Sequence, residues 1–303
     1  MKKRACFFLV VFMLTGVLYA AALREGPPKD GELVLLHTND FHGAILSDNG
    51  QGGLAGMADF VRMVRASNPQ VLLVDAGDIN SGGELSSMFD GEVNILAYNI
   101  MGYDAVTFGD SEFDGTQERL ERQISLAEFP FVSSNIQTAD GSFLGGNQYI
   151  VKHYDNFTVG IFGITTLLTR TISSPDSSLV FLNEIDAARA VVDILRNTEK
   201  VDIVIGLTHM GDVKESADHI TSIELAKALE GIDIIVDGHS HTLFSSPRMA
   251  GDAWVISADE LGRYIGFAKL TVRDGVLVDF FWTPIQIGID PETAAMLEEY
   301  QYP

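Results

Sequence analysis

The chain has 303 residues, 46% of them hydrophobic and 20% charged, the composition of a globular protein with a sizeable core in one large domain or two modest ones. Twenty Lys plus Arg against 42 Asp plus Glu give a formal charge of −22, so a nucleic-acid polymer would meet repulsion in place of the basic footprint that counterion release requires. A single cysteine, Cys6, excludes a disulfide framework and any thiolate zinc site, and leaves His, Asp, Asn and backbone oxygen as donors for a metal.

The first segment is predicted to be a secretory signal over residues 1–22. Lys2, Lys3 and Arg4 form a positive start, Ala5 to Ala22 run without a charge, and the run ends in the small residues Ala20, Ala21 and Ala22. Cleavage after Ala22 removes three bases and no acid, which takes the net charge from −22 to −25 and removes the one cysteine. Cys6 stands at the front of the apolar run, so the pattern of a lipid-anchored exported protein is not met. The alternative is an uncleaved membrane anchor, since eighteen uncharged residues just span a bilayer. The expected location is periplasmic or secreted, with membrane contact only if the leader is retained.

The body then alternates strand and helix. Leu33 to Leu36, Val71 to Val74, Ala105 to Phe108, Ile203 to Leu207 and Ile234 to Val236 read as buried strands. Between them, Leu54 to Ala66, Thr116 to Ala127, Asn183 to Arg196 and Thr221 to Leu229 carry helical periodicity. This order predicts an α/β fold with a mainly parallel sheet. Tyr149 to Gly163, turning at Asp155-Asn156, and Phe267 to Trp282, turning at Asp274-Gly275, read as hairpins and predict a second, partly antiparallel sheet. Without a repeat or linker inside, residues 30–288 are expected to form one domain. Asp290-Pro291-Glu292-Thr293 reads as the start of a helix cut short at Pro303, so 289–303 is expected to be a truncated linker helix. Gly52-Gly53 lacks the Lys-Ser or Lys-Thr ending of a triphosphate-binding loop and reads as a helix-entry turn. Arg263, in Leu261-Gly262-Arg263-Tyr264, reads as an ordinary surface arginine rather than a phosphate contact.

In open α/β sheets, sites form beyond the carboxyl ends of strands. Here those ends are Thr38-Asn39-Asp40-Phe41-His42-Gly43, Asp75-Ala76-Gly77-Asp78, Gly109-Asp110-Ser111-Glu112-Phe113-Asp114, Thr208-His209-Met210-Gly211 and Asp237-Gly238-His239-Ser240-His241. Four of the seven histidines and at least three aspartates thus converge on one sheet edge, and Asp-x-His and His-x-His place two side chains of an extended loop on the same side. Mixed carboxylate and imidazole donors favour Zn, Mn, Fe or Co over Ca or Mg. The donors exceed what one tetrahedral ion needs; with a bridging carboxylate they suit two ions about 3.5–4 Å apart, the arrangement that clamps a phosphate ester. His37, His153 and His219 lack this placement and read as structural or surface residues.

These segments, in this order, resemble the motifs of the calcineurin-like metallophosphoesterases, and most closely the catalytic domain of the 5′-nucleotidase and UDP-sugar hydrolase family, over about residues 32–288. The resemblance implies a four-layer α/β/β/α sandwich around two divalent transition metal ions, Zn, Mn, Co or Fe. It also implies that Asp40, His42 and His241 hold the first ion, that Asp78 bridges, and that Asp110, His209 and His239 hold the second. The activity implied is metal-dependent hydrolysis of nucleotides or other small phosphate esters.

Two departures accompany it. The family's third motif reads Gly-Asn-His-Glu-Phe-Asp; here Asp110 stands for the Asn and Ser111 for the catalytic His, with Asp114 at the place of the acid that orients that His. Asp110 lowers the net charge of the two ions with their carboxylates from +2 to +1. Losing the imidazole costs ~10²–10⁴ in rate on the usual scale of acid–base assistance. Nucleotide-hydrolysing members also continue into a C-terminal base-binding domain, so such a domain is expected to be absent here or encoded separately, docking near Glu292 to Tyr300. Two functions follow: a phosphoesterase of reduced or altered activity, or a catalytically silent metal-binding or interaction protein on the same fold.

Overall fold

The computed structural model describes residues 28–46 and 52–288, so the leader at 1–22 and the tail helix at 289–303 lie outside the described residues. In chain order the elements are β1 (Gly31–Thr38), α1 (Leu54–Ser67), β2 (Val71–Asp75), α2 (Glu84–Met88), α3 (Glu92–Met101), β3 (Ala105–Val106), α4 (Gln117–Leu126), β4 (Ile136–Gln137), β5 (Tyr149–His153) and β6 (Thr158–Thr165). They continue as α5 (Thr169–Ile172), β7 (Val180–Phe181), α6 (Glu184–Asp193), β8 (Ile203–His209), α7 (Ser222–Ala228), β9 (Ile234–Asp237), β10 (Arg248–Ala250), β11 (Ala253–Ile256), β12 (Tyr264–Arg273) and β13 (Val276–Gln286).

Helix starts follow side-chain capping. Thr116 accepts from Arg119 N and Asn183 from Asp186 N, while Thr221 and Glu224 close a reciprocal capping box. Gly53 enters α1 at φ 82, a left-handed value that glycine adopts without steric cost, as expected of a helix-entry turn.

Two mixed sheets form the centre. One runs β13-β12-β1-β2-β3 and the other β10-β11-β9-β8-β6-β5. In the first, β1, β2 and β3 are parallel and the β12–β13 hairpin adds antiparallel strands. In the second, β6, β8, β9 and β11 are parallel, with β5 and β10 antiparallel at the two edges. The expected hairpins are therefore present, one in each sheet, and the second sheet is partly antiparallel, as expected. A short β4–β7 ladder stands apart.

The alternation along β1 shows how the layers stack. Leu33 and Leu35 belong to a core cluster with Val159, Ile161 and Ile205 of the second sheet, whereas Val34 and Leu36 pack with Met57, Phe60 and Val64 of α1 and Ile95 and Tyr98 of α3. Ala188, Val191 and Val192 of α6 and Leu225 of α7 join the first cluster across the second sheet. Helix, sheet, sheet and helix thus form four layers around two apolar interfaces, the α/β/β/α sandwich expected from sequence. Among the described residues no helix is long and apolar enough to cross a membrane.

Candidate metal centre

The carboxyl ends of β1, β2, β3, β8 and β9 face one another. Their loops are pinned by backbone bonds from Asp40 N to Gly77 O at 3.0 Å, His42 N to Asp78 O at 2.9 Å and Gly211 N to Gly238 O at 3.0 Å. Five of the seven expected ligand positions hold left-handed backbone: Asp40 at φ 51, His42 at φ 48, Asp78 at φ 60, His239 at φ 80 and His241 at φ 51. Each costs on the order of 1–3 kcal/mol in a residue other than glycine, strain that persists where surrounding structure imposes it, as at functional sites. Close backbone approach adds to this constraint, since a Cβ on Gly109 would collide with Asp78 Oδ1 and Asp78 N.

All seven residues come together, in two groups able to hold a metal ion: Asp40, His42, Asp78 and His241, and Asp110, His209 and His239. In the first, His42 Nε2 and His241 Nε2 are 3.1 Å apart, and Asp40 Oδ1 lies 3.6 Å from His241 Nε2. In the second, Asp110 Oδ1 lies 3.1 Å from His209 Nε2 and 2.9 Å from His239 Nδ1. Asp78 Oδ2 stands between them, 3.6 Å from His42 Nε2 and 3.4 Å from His209 Nε2. One oxygen thus faces both groups.

The surroundings aim the rings. His209 Nδ1 donates to Ala76 O at 2.8 Å, which aims Nε2 at the carboxylates. His42 Nδ1 meets Asn80 O at 3.3 Å, and His241 Nδ1 pairs with Glu260 Oε2 at 2.7 Å. Glu215 Oε1 lies 2.8 Å from His239 Nε2, close enough to pair but out of hydrogen-bond alignment. Asp78 Oδ1 accepts from Ser111 N at 2.7 Å, and the buried Glu112 accepts from Asp78 N, Asn80 N and Gly109 N, tying the second and third loops together. Asn39 Nδ2 donates to Asp40 Oδ2 at 2.7 Å.

Charge in this cluster calls for a cation. Burial works against a protonated His209, but Asp78, Asp110 and Asp40 outweigh it and hold its imidazole well above the usual histidine range. Burial likewise pushes Asp40 well up, against the pull of His209 and with that of Asp78. Asp110 is held far down because hydrogen bonds from His209 and His239 overcome burial. A proton on His209 thus does part of what a cation would do among three carboxylates, and imidazoles whose outer nitrogens are engaged fit the requirements of metal ligands.

The family model for calcineurin-like phosphoesterases matches residues 33–243, more than half of the chain. The chain belongs to the calcineurin-like phosphoesterase family. Among its relatives, the Trifunctional nucleotide phosphoesterase protein YfkN of Bacillus subtilis (strain 168) is 33% identical over 278 residues, covering 79% of this chain and 18% of YfkN. Protein UshA of Escherichia coli (strain K12) is 31% identical over 299 residues, covering 88% of this chain and 54% of UshA. The crystal structure of a 5′-nucleotidase precursor from Thermus thermophilus superposes with a TM-score of 0.76 at 27% identity, covering 89% of this chain and 59% of that one. The chain thus spans about half of UshA and under a fifth of YfkN.

Within this calcineurin-like phosphoesterase frame, Ser111 is buried at 3% exposure and its hydroxyl donates to Asn80 O at 3.0 Å. Asp114 Oδ2 accepts from Ser81 Oγ at 3.1 Å. His37 and His219 lie outside the cluster, as their sequence positions predict: His37 stacks on Trp282, and His219 Nε2 donates to Met210 O at 2.6 Å. Arg263 pairs with Asp259 and Glu260 within its own turn. The outer partners Glu215 and Glu260 follow no spacing rule that a sequence displays. Glu112, by contrast, lies inside the third motif.

Proposed function

We propose that the protein is an exported, metal-dependent phosphoesterase that hydrolyses nucleotides or other small phosphate esters. Asp40, His42 and His241 would hold one divalent ion, Asp110, His209 and His239 the other, and Asp78 would bridge. Family membership and the names of YfkN and the 5′-nucleotidase support the substrate class; the Lys2-Lys3-Arg4 leader supports export. The single observation that carries the reading is Asp78 Oδ2 facing an imidazole of each group, at 3.4 and 3.6 Å.

A divalent pair of Zn, Mn, Co or Fe supplies charge stabilisation for a phosphoryl group and acidifies water. The chain's residues set how far this goes. Asp110 adds a negative charge close to the substrate phosphate and weakens its attraction. Ser111 offers a neutral hydroxyl already donated to Asn80 O, so no side chain there passes a proton to the leaving oxygen. Asp114, with Ser81 as its partner, orients no imidazole. Activity is therefore reduced or altered and favours esters whose leaving groups need no proton.

The test is hydrolysis of 4-nitrophenyl phosphate by the purified protein with added Mn, Co or Zn. Slow turnover that a chelator abolishes is expected. Metal bound without turnover under any of these conditions would overturn the enzyme reading and favour the silent, metal-binding alternative.

A further inference from the structure

The helix α5 is fastened at both ends to the second ligand group. Thr166 N, just before it, donates to His209 O at 2.9 Å, and Ser173 Oγ, just after it, donates to Asp110 O at 2.8 Å. Between these ties stands Arg170, exposed and, among the described residues, without an ion pair or side-chain hydrogen bond.

That freedom is unusual at this end of the molecule. Lys214 pairs with Glu224 at 3.1 Å, Arg248 with Asp212 at 2.5 Å, and Arg263 with Asp259 and Glu260 at 2.9 and 2.8 Å. Lys200, Lys227 and Arg273 also lack ion pairs, but they stand at the amino ends of the strands: before β8, before β9 and opposite the start of β1. The cluster's own charged partners are acids, Glu215 at His239 and Glu260 at His241. An unneutralised guanidinium carried by a helix tied to an acidic centre is a docking point for an anion, and its planar fork matches two phosphoryl oxygens at once.

We propose that Arg170 is a specificity-determining residue that holds a second anionic group of the substrate, such as the distal phosphoryl group of a nucleoside diphosphate, while the first lies at the metal cluster. This rests on the phosphoesterase reading above. It makes the preferred substrate one with two anionic groups a short tether apart, despite the acidic surroundings that repel a single phosphate.

The test uses the full, Mn-loaded protein and its Arg170→Met and Arg170→Lys variants in titration calorimetry with two non-hydrolysable probes, methylenediphosphonate and methylphosphonate. Arg170→Met should weaken methylenediphosphonate about tenfold more than methylphosphonate, the scale of one charge-assisted hydrogen-bonded contact, with Arg170→Lys between. In parallel, kcat/KM for ADP should fall about tenfold more than that for 4-nitrophenyl phosphate, through KM. Equal shifts for both probes, or none, would overturn the role of Arg170. Absence of any ester turnover would count against the phosphoesterase reading alone, because calorimetry still reports on Arg170.

Discussion

Asp75 ends β2 three residues before Asp78 and is wholly buried. Its Oδ2 accepts from Thr38 Oγ1 at 2.5 Å and Tyr98 OH at 2.9 Å, and its Oδ1 accepts from Gly77 N at 2.8 Å. Burial nevertheless dominates and raises its pKa from 3.8 to about 6. The folded state therefore holds the proton more tightly than the unfolded chain. The stabilisation from this group is fully present below pH 3.8 and is lost as pH rises through about 6. A shift of this size corresponds to about 3 kcal/mol. An Asp75→Asn side chain can keep its oxygen on Gly77 N and offer its NH2 to the Thr38 and Tyr98 hydroxyls, which are able to accept, so the network survives without a titrating group. Urea unfolding of chelator-treated wild type and variant at pH 4 and pH 7.5 measures the difference. The variant should gain about 2.4 kcal/mol relative to wild type across that interval, less than the full shift because the unfolded chain is already more than half ionised at pH 4. A wild-type–variant gap equal at both pH values would refute the assignment of burial as the dominant cause.

Ser111→His places an imidazole between Asp78 and Asp114. With metal content unchanged it should raise kcat on 4-nitrophenyl phosphate at least tenfold, short of the ~10²–10⁴ range for acid–base assistance because the position is buried and Asp114 already bonds Ser81; a lower rate at full metal occupancy would contradict the role given to this position. Gly109→Ala forces a methyl group against Asp78 Oδ1 and the Asp78 backbone nitrogen. It should lower stability by about 1–3 kcal/mol, the usual cost of overpacking, and reduce bound metal measured by elemental analysis, whereas native metal content would show that the Asp78 loop tolerates displacement.

Much of the architecture was legible because burial leaves a periodic trace. The continuous apolar run of β1 and the caps at Thr116, Asn183 and Thr221 are local signals, and each stands where its pattern places it. The region from Glu84 to Met101 is not apparent as two helices because each is short and Gly83 and Gly91 interrupt the pattern, with Asn80, Ser86 and Asn94 joined by buried hydrogen bonds beside the brief apolar stripe Ile95, Tyr98 and Met101. Strand β3 pairs over Ala105–Val106 only; Thr107 N still donates to Asp75 O at the end of β2, but Phe108 O accepts from the Thr165 hydroxyl, so the apolar run outlasts the strand. The seven cluster residues were legible from their place after strands. Their outer partners were not: Glu260 reaches His241 from nineteen residues away, and Glu215 lies on a loop whose sequence carries no periodic constraint.

Neither ligand group belongs to one sheet. The first takes Asp40, His42 and Asp78 from the loops after β1 and β2 and His241 from the loop after β9; the second takes Asp110 from the loop after β3 and His209 and His239 from β8 and the loop after β9. A cation in either place would therefore hold the two sheets together at their carboxyl ends, and it would find its donors assembled only once the sheets have packed through Leu33, Leu35, Val159 and Ile161. This explains why costly left-handed residues recur on both sides of the seam. The apolar interface fixes the spacing of the sheets and so imposes the strained loops. A cation would offset the carboxylate repulsion that the same packing creates around Asp40, Asp78 and Asp110.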